Sequence, residues 1–318
     1  MPPLARPVGS SQRRIVCYHQ TIVPRDRGYV SMLPLLQNNT GVTHIILAAI
    51  HINAQPGNIT LNDDPPDSPI YAPLWEEVPL VQRAGVKVMG MLGGAAIGSY
   101  HRLDGTQPEF EAYYGPLLAM IRRHGLDGLD LDVEEAMSLR GIIRLIDRLK
   151  ADLGDDFIIT LAPVAAALVG MGNLSGFDYR QLEQERGSKI SWYNAQFYNG
   201  WGDPRMYAAI IAQGWSPQKV VMGLLTNPGN GSQGYVPPGS VGPIIATLIG
   251  QFPDFGGVMG WEYFNSLPGD VEKPWQWAAA LSLSMGMKDV LTAAQTVLGV
   301  NAMNSLMSLL SGMANPRG

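Results

Sequence analysis

Asp130, Asp132 and Glu134 stand two residues apart within Asp127-Gly128-Leu129-Asp130-Leu131-Asp132-Val133-Glu134. A β-strand turns alternate side chains to opposite faces, so the three carboxylates share one face and Leu129, Leu131 and Val133 the other. Three negative charges on the inner face of a sheet need bound metal, shared protons or a substrate that uses them. They step along the strand at about 6.6 Å per two residues, close enough for neighbours to touch. Such carboxylates do not all ionise cheaply, so at least one should keep a proton near neutral pH and provide a general acid. Glu134, at the end of the row, is best placed to protonate a leaving group, with Asp132 and Asp130 sharing a proton behind it. Asp127 has the opposite parity, which suits a structural role at the start of the strand. Aligned carboxylates can also hold Mg²⁺ or Mn²⁺. In barrels, however, such ligands usually come from several strands, and no second acidic cluster stands at a strand end. His19, His44, His51, His101 and His124 are scattered without a ligand spacing. The expectation is a site with neither metal nor cofactor.

The elements that must hold this row recur as short apolar, β-rich runs separated by helix-like segments, the alternation of βα units. Eight such runs occur, at Ile15 to Gln20, Thr43 to Asn53, Lys87 to Gly94, Gly125 to Glu134, Phe157 to Val164, Ile190 to Asn199, Lys219 to Thr226 and Gly256 to Tyr263. Helices are predicted over Ala72 to Ala84, Gln107 to His124, Leu139 to Leu153, Pro204 to Gln213, Val241 to Gln251 and Trp275 to Met287. Gly85, Gly125, Gly154 and Gly214 follow helical runs and suit left-handed C-caps. The pattern predicts an α/β protein, a single (β/α)8 TIM barrel with its site at the C-terminal ends of the strands. A doubly wound sheet is the competitor, but Tyr18-His19-Gln20-Thr21 stands where a glycine-rich phosphate loop would follow the first strand. Residues 1–14 read as a flexible N-terminal segment, 15–287 as the barrel and 288–318 as an extension. Within the extension, Val290 to Met313 resembles an amphipathic helix packed on the barrel's outside.

With 318 residues, 46% of them hydrophobic, the chain can bury a large core. A net charge of −5 and a pI near 5.5 give no broad basic surface, which argues against nucleic acid or an anionic membrane as the partner. The apolar runs are strand-sized, so no membrane span is expected. Met1 to Arg14 contains no apolar core of a secretory signal, and Cys17 is the only cysteine. Both favour an intracellular, cytoplasmic location, with a secreted chain whose leader has been removed as the alternative. Asn-x-Ser/Thr sequons begin at Asn38, Asn58, Asn173 and Asn230 and would matter only on the secretory route.

The acidic row resembles the DxxDxDxE signature of glycoside hydrolase family 18, and other segments fall in that family's order. Gln196-Phe197-Tyr198-Asn199 is similar to its tyrosine-bearing strand, and Gly257-Val258-Met259-Gly260-Trp261-Glu262-Tyr263 to the strand carrying its tryptophan floor. Met91-Leu92-Gly93-Gly94 stands where many members have Ser-x-Gly-Gly. The resemblance covers about Ile15 to Met287 and implies substrate-assisted retaining hydrolysis, an exception to the two-carboxylate scheme. It implies Glu134 as acid and base, Asp132 and Tyr198 as holders of the sugar's acetamido group, Asp130 as tuner of Asp132, and Gln196 as a positioning group. Trp261 is expected to stack on the sugar, and Tyr18 and Asn199 are further substrate-binding candidates. Trp201 is another, and for both Asn199 and Trp201 loop structure is the nearly equal alternative. Only Asn227 to Phe255 lies between the last two strands, where many chitinases of the family carry a sizeable insertion. The segments Leu129 to Glu135, Thr160 to Ala167, Trp192 to Tyr198 and Gly257 to Pro268 look most similar to fungal endo-β-N-acetylglucosaminidases. The implied partners are therefore N-glycans, free or on glycoproteins. A small chitinase is the alternative, and a silent sugar-binding barrel a third possibility.

Overall fold

The structure, a computed structural model, describes residues 13–200 and 202–287. Nine strands form one sheet: β1 Arg14–His19, β2 His44–Ile52, β3 Ile59–Leu61, β4 Lys87–Gly93, β5 Gly128–Asp132, β6 Ile158–Leu161, β7 Trp192–Gln196, β8 Val220–Leu225 and β9 Gly257–Trp261. All but β3 pair in parallel, and β1 pairs with both β2 and β9, which closes an eight-stranded barrel. Each of the eight barrel strands falls within or beside a run expected from the sequence. β1 starts at Arg14, one residue inside the segment expected to be flexible, because its backbone N–H donates to the Gly256 carbonyl.

The α-helices are α1 Leu33–Gln37, α2 Ala72–Arg83, α3 Ser99–Leu103, α4 Gln107–Arg123, α5 Leu139–Leu153, α6 Tyr179–Arg186, α7 Met206–Ala212, α8 Pro238–Gln251 and α9 Gln276–Ser284. α4 opens with a capping box between Thr106 and Glu109. Ser138 and Asp178 cap α5 and α6 by accepting from the backbone of Gly141 and Gln181. The anticipated cap glycines at the ends of α2, α4, α5 and α7 all have positive φ. α1, α3 and α6 were not expected, being too short or too polar to show a helical apolar stripe. β3 was also missed; its three residues pair antiparallel with β2. The C-terminal extension, with the helix expected at Val290 to Met313, lies outside the described residues, as do Met1 to Gln12 and Trp201. Among the described residues no helix is long and apolar enough to cross a membrane.

Two apolar clusters follow from the alternation along the strands. The larger fills the space between barrel and helices and takes in Leu129, Leu131 and Val133 from the acidic segment. The smaller lies inside the barrel, where Val16, Tyr18, Ile46, Met89, Met91, Trp192, Val221 and Met259 interdigitate. Asp130 and Asp132 point into this interior, at 0% and 6% exposure, so the charged face of β5 is the inner one.

Candidate active site

The row climbs from a sealed interior to the open end of the barrel. Asp130 sits deepest and accepts three hydrogen bonds: its Oδ1 from Thr160 Oγ1 (2.5 Å) and Asn194 Nδ2 (3.1 Å), its Oδ2 from Tyr18 Oη (2.7 Å). Burial pushes its pKa up, while these donors pull it back. Asp132, one pleat higher, is driven well above the ordinary carboxylate range by burial, then by the neighbouring charges of Glu134 and Asp130. Glu134 lies just past the end of β5 and is half-buried. Gln196 on β7 ties the upper two together, with its Nε2 3.2 Å from Asp132 Oδ1 and 3.1 Å from Glu134 Oε1. The same nitrogen lies 2.9 Å from the Ala162 carbonyl. Three acceptors for two N–H groups leave the amide shared among them. The row thus pairs a proton reservoir in the interior with a carboxyl group at the mouth, the arrangement a general acid needs.

Aromatic rings form the rim. Tyr198, just after β7, is 5% exposed, and burial followed by the charges of Asp132, Glu134 and Asp130 raises its phenol well above the normal value. Trp261, the last residue of β9, packs against Tyr18 with ring centroids 5.6 Å apart and is partly buried on the inner cluster. Tyr18 is itself 1% exposed, with its hydroxyl held by Asp130. In that position it braces the row from below. Asn199 likewise has another partner. It adopts φ +56°, and its Oδ1 accepts from Ser232 N (2.8 Å) and Ser232 Oγ (3.2 Å), locking the loop after β7 to the loop after β8. Asp127 takes the structural place anticipated for it, accepting from Lys87 Nζ, Gln82 Nε2 and Val88 N at the start of β5.

Close approach of backbone explains the two glycines after Leu92. At Gly93, φ +90°, a Cβ would stand 2.4 Å from the Tyr100 ring and 2.6 Å from the Asp132 carbonyl. The N–H of Gly94 donates to that same carbonyl (2.9 Å). Glu135 accepts from the Gly98 and Tyr100 amides (2.8 Å each), which pins α3 against the end of β5. Thr160, Asn194 and Glu135 escaped notice in the sequence. For the first two the signal was present, a polar residue at an inward position of an otherwise apolar strand. For Glu135 it was absent, because its partners are the amides at the start of the short helix α3.

The histidines are separate from this site. His19 is fully buried and held neutral, its pKa lowered to about 4 by burial, with Nε2 2.9 Å from the Val30 carbonyl. Among the described residues no group of three His, Cys, Asp or Glu side chains is arranged to hold a metal ion.

Residues 14–277 match the profile of glycosyl hydrolases family 18. Of curated proteins, Chitinase 2 of Rhizopus oligosporus is 29% identical over 202 residues, 57% of this chain and 34% of that one. Endochitinase 37 of Trichoderma harzianum is 25% identical over 198 residues, 55% of this chain and 56% of that one. The chain therefore spans between about a third and just over half of these relatives. Among solved structures, a chitinase, ChiC, from Aspergillus fumigatus is 76% identical with a TM-score of 0.80, over 86% of this chain and all (100%) of that one. A fungal endo-β-N-acetylglucosaminidase from glycosyl hydrolase family 18 is 48% identical with a TM-score of 0.82, over 85% and 97%.

Proposed function

This chain belongs to glycosyl hydrolases family 18, and we propose that it is a glycosidase that cleaves the β-1,4 bond between two N-acetylglucosamine units. The observation that carries the reading is the row itself. Asp130 and Asp132 on β5 and Glu134 just past its end form one row, and no opposed carboxylate is needed if the substrate's own acetamido oxygen attacks the anomeric carbon.

In this mechanism Glu134 gives its proton to the glycosidic oxygen as the C1–O bond breaks, and the acetamido carbonyl oxygen closes on C1 to form an oxazolinium. Asp132 receives the acetamido N–H, Tyr198 donates its hydroxyl to the acetamido oxygen, and the negative charge of the Asp130–Asp132 pair offsets the positive charge of the ring. Gln196 keeps Asp132 and Glu134 in register. Water then attacks C1 while Glu134 takes its proton, so the anomeric configuration is retained. Trp261 supplies the apolar floor for the pyranose.

For the finer specificity we propose the chitobiose core of N-glycans, leaving one N-acetylglucosamine on the asparagine. Two features support it. The connection from Thr226 to Gly256 holds only a short 3-10 turn at Pro228–Asn230, α8 and loops, with no added domain to wall the cleft against a branched glycan, and a 48% identical structure is that of a fungal endo-β-N-acetylglucosaminidase. Chitin oligomers are the second reading, favoured by the 76% identical structure of a chitinase. Incubation with a high-mannose glycoprotein and, separately, with chito-oligosaccharides tests both. Glycan release leaving a single-sugar stub supports the first, cleavage of chito-oligomers alone the second, and binding without cleavage of either defeats the hydrolase proposal.

A further inference from the structure

Beneath the acidic row, on the next inward position of β7, Trp192 donates its indole N–H to Asn194 Oδ1 at 2.8 Å, and Asn194 Nδ2 in turn donates to Asp130. Trp192 is 2% exposed and clamped, with the Arg14 guanidinium 4.5 Å over its ring and His44 against its edge at 4.7 Å. An indole nitrogen can only donate, whereas an amide can turn over and exchange its donor for its acceptor. The clamped indole therefore fixes which end of Asn194 meets Asp130. A flipped amide would set N–H against N–H in a dry interior, which costs a buried polar group its partner.

We propose that Trp192 and Asn194 are positioning residues that keep Asp130 an anion and so leave the buried proton of the row on Asp132. The proposal rests on the site reading above and deepens it. The hydroxyls of Tyr18 and Thr160 can rotate to serve either protonation state of Asp130, because each both donates and accepts. Asn194 alone has its polarity set from outside the row. A carboxylate that receives three donors is favoured in its charged form, whereas among the described residues the Asp132 carboxyl receives only the shared amide of Gln196. One negative charge on the pair is what the oxazolinium requires, and protonation of Asp130 would remove it.

The titratable groups around Asp130 are Asp132 and Glu134 on its own segment, Tyr18 from β1, Tyr100 from α3, Tyr179 from α6 and Tyr198 after β7. All four phenols are raised by burial, so none of them ionises near neutral pH. Arg14 and His44 lie below, on the far side of Trp192, with burial holding His44 neutral.

The test is a ¹³C NMR titration of aspartate-carboxyl-labelled full-length protein, with Asp130→Asn and Asp132→Asn assigning the two signals. Trp192→Phe keeps the ring and removes only the N–H; Asn194→Leu removes the amide and serves as the second variant if the first fails to fold. The expected result is a protonated Asp132 at pH 7 in the unmodified protein, and an Asp130 midpoint raised by about one pH unit in either variant. The acid limb of kcat should move by the same amount, with KM little changed. An Asp130 midpoint and acid limb that stay in place while only the melting temperature falls would show a merely structural role and overturn the proposal. The titration needs no substrate, so a failure of the glycosidase reading shows separately, as a shifted Asp130 in a protein that cleaves neither glycan.

Discussion

Glu134→Gln separates the proton from the side chain that carries it. Gln196 Nε2 lies 3.1 Å from Glu134 Oε1, and a glutamine carbonyl at that place still accepts its hydrogen. The half-buried position has no other polar partner among the described hydrogen bonds, so the fold should tolerate the change with a shift in stability below about 0.5 kcal/mol. Catalysis should not. A positioned general acid contributes about 10²- to 10⁴-fold, or roughly 3–5 kcal/mol of barrier. The assay compares a natural leaving group, the 4-hydroxyl of N-acetylglucosamine in a glycopeptide or chito-oligomer, with 4-nitrophenolate on the same donor sugar. Nitrophenolate departs without being protonated, so the variant should still complete its first step on that substrate. It should then stall, because Glu134 is also the base for water. The signature is a first-turnover burst of nitrophenol followed by a slow steady state, beside a loss of about 10²-fold or more on the natural bond. Equal losses on both leaving groups, with no burst and an unchanged melting temperature, would refute Glu134 as the acid.

Gly93→Ala should destabilise by more than about 2 kcal/mol, since its Cβ would press on the Tyr100 ring and the Asp132 carbonyl at a φ of +90°; chemical denaturation measures it, and a neutral result would mean the end of β4 yields more easily than its packing suggests. Trp261→Ala should raise KM more than it lowers kcat, because the ring offers stacking area and no proton, and the opposite split would place Trp261 in the chemistry. Dialysis against EDTA should leave kcat unchanged, since the oxygens of Asp130 already accept from Tyr18, Thr160 and Asn194, whereas metal-restorable loss would revive the cation alternative. His19 is neutral in the fold, with its pKa lowered to about 4 by burial. The unfolded chain binds this proton more tightly, so the contribution is whole above about pH 6.5 and is lost as pH falls towards 4, amounting to about 3 kcal/mol. The difference in unfolding free energy between the unmodified protein and His19→Gln, followed from pH 7 to 4, isolates it from the carboxylates; parallel curves would contradict it.

The barrel was legible because its strands are buried on both faces and punctuated by helix-capping glycines, signals that survive without knowledge of the partners. The acidic row was legible for the same reason, as charge at every second position of an apolar strand has few structural uses. Tyr18 and Asn199 show the limit. An end-of-strand tyrosine and an asparagine after a strand look alike whether they face substrate or neighbours. Only the fold shows the neighbours each one has, Trp261 and Asp130 on Tyr18 and Ser232 on Asn199. α3 and α6 were hidden because short polar helices take their stability from tertiary contacts, as when Glu135 holds the amides of Gly98 and Tyr100.

The sequence by itself determined that Asp130, Asp132 and Glu134 share one face, since strand parity is a property of the local backbone. It also placed Gln196 and Tyr198 together on another strand. Tertiary structure decided the surroundings of the buried carboxylates, because these include donors brought 30 and 64 residues along the chain from Asp130 at Thr160 and Asn194. A carboxylate's charge state is set by what surrounds it in space, and only closure of the barrel brings those groups within hydrogen-bonding distance.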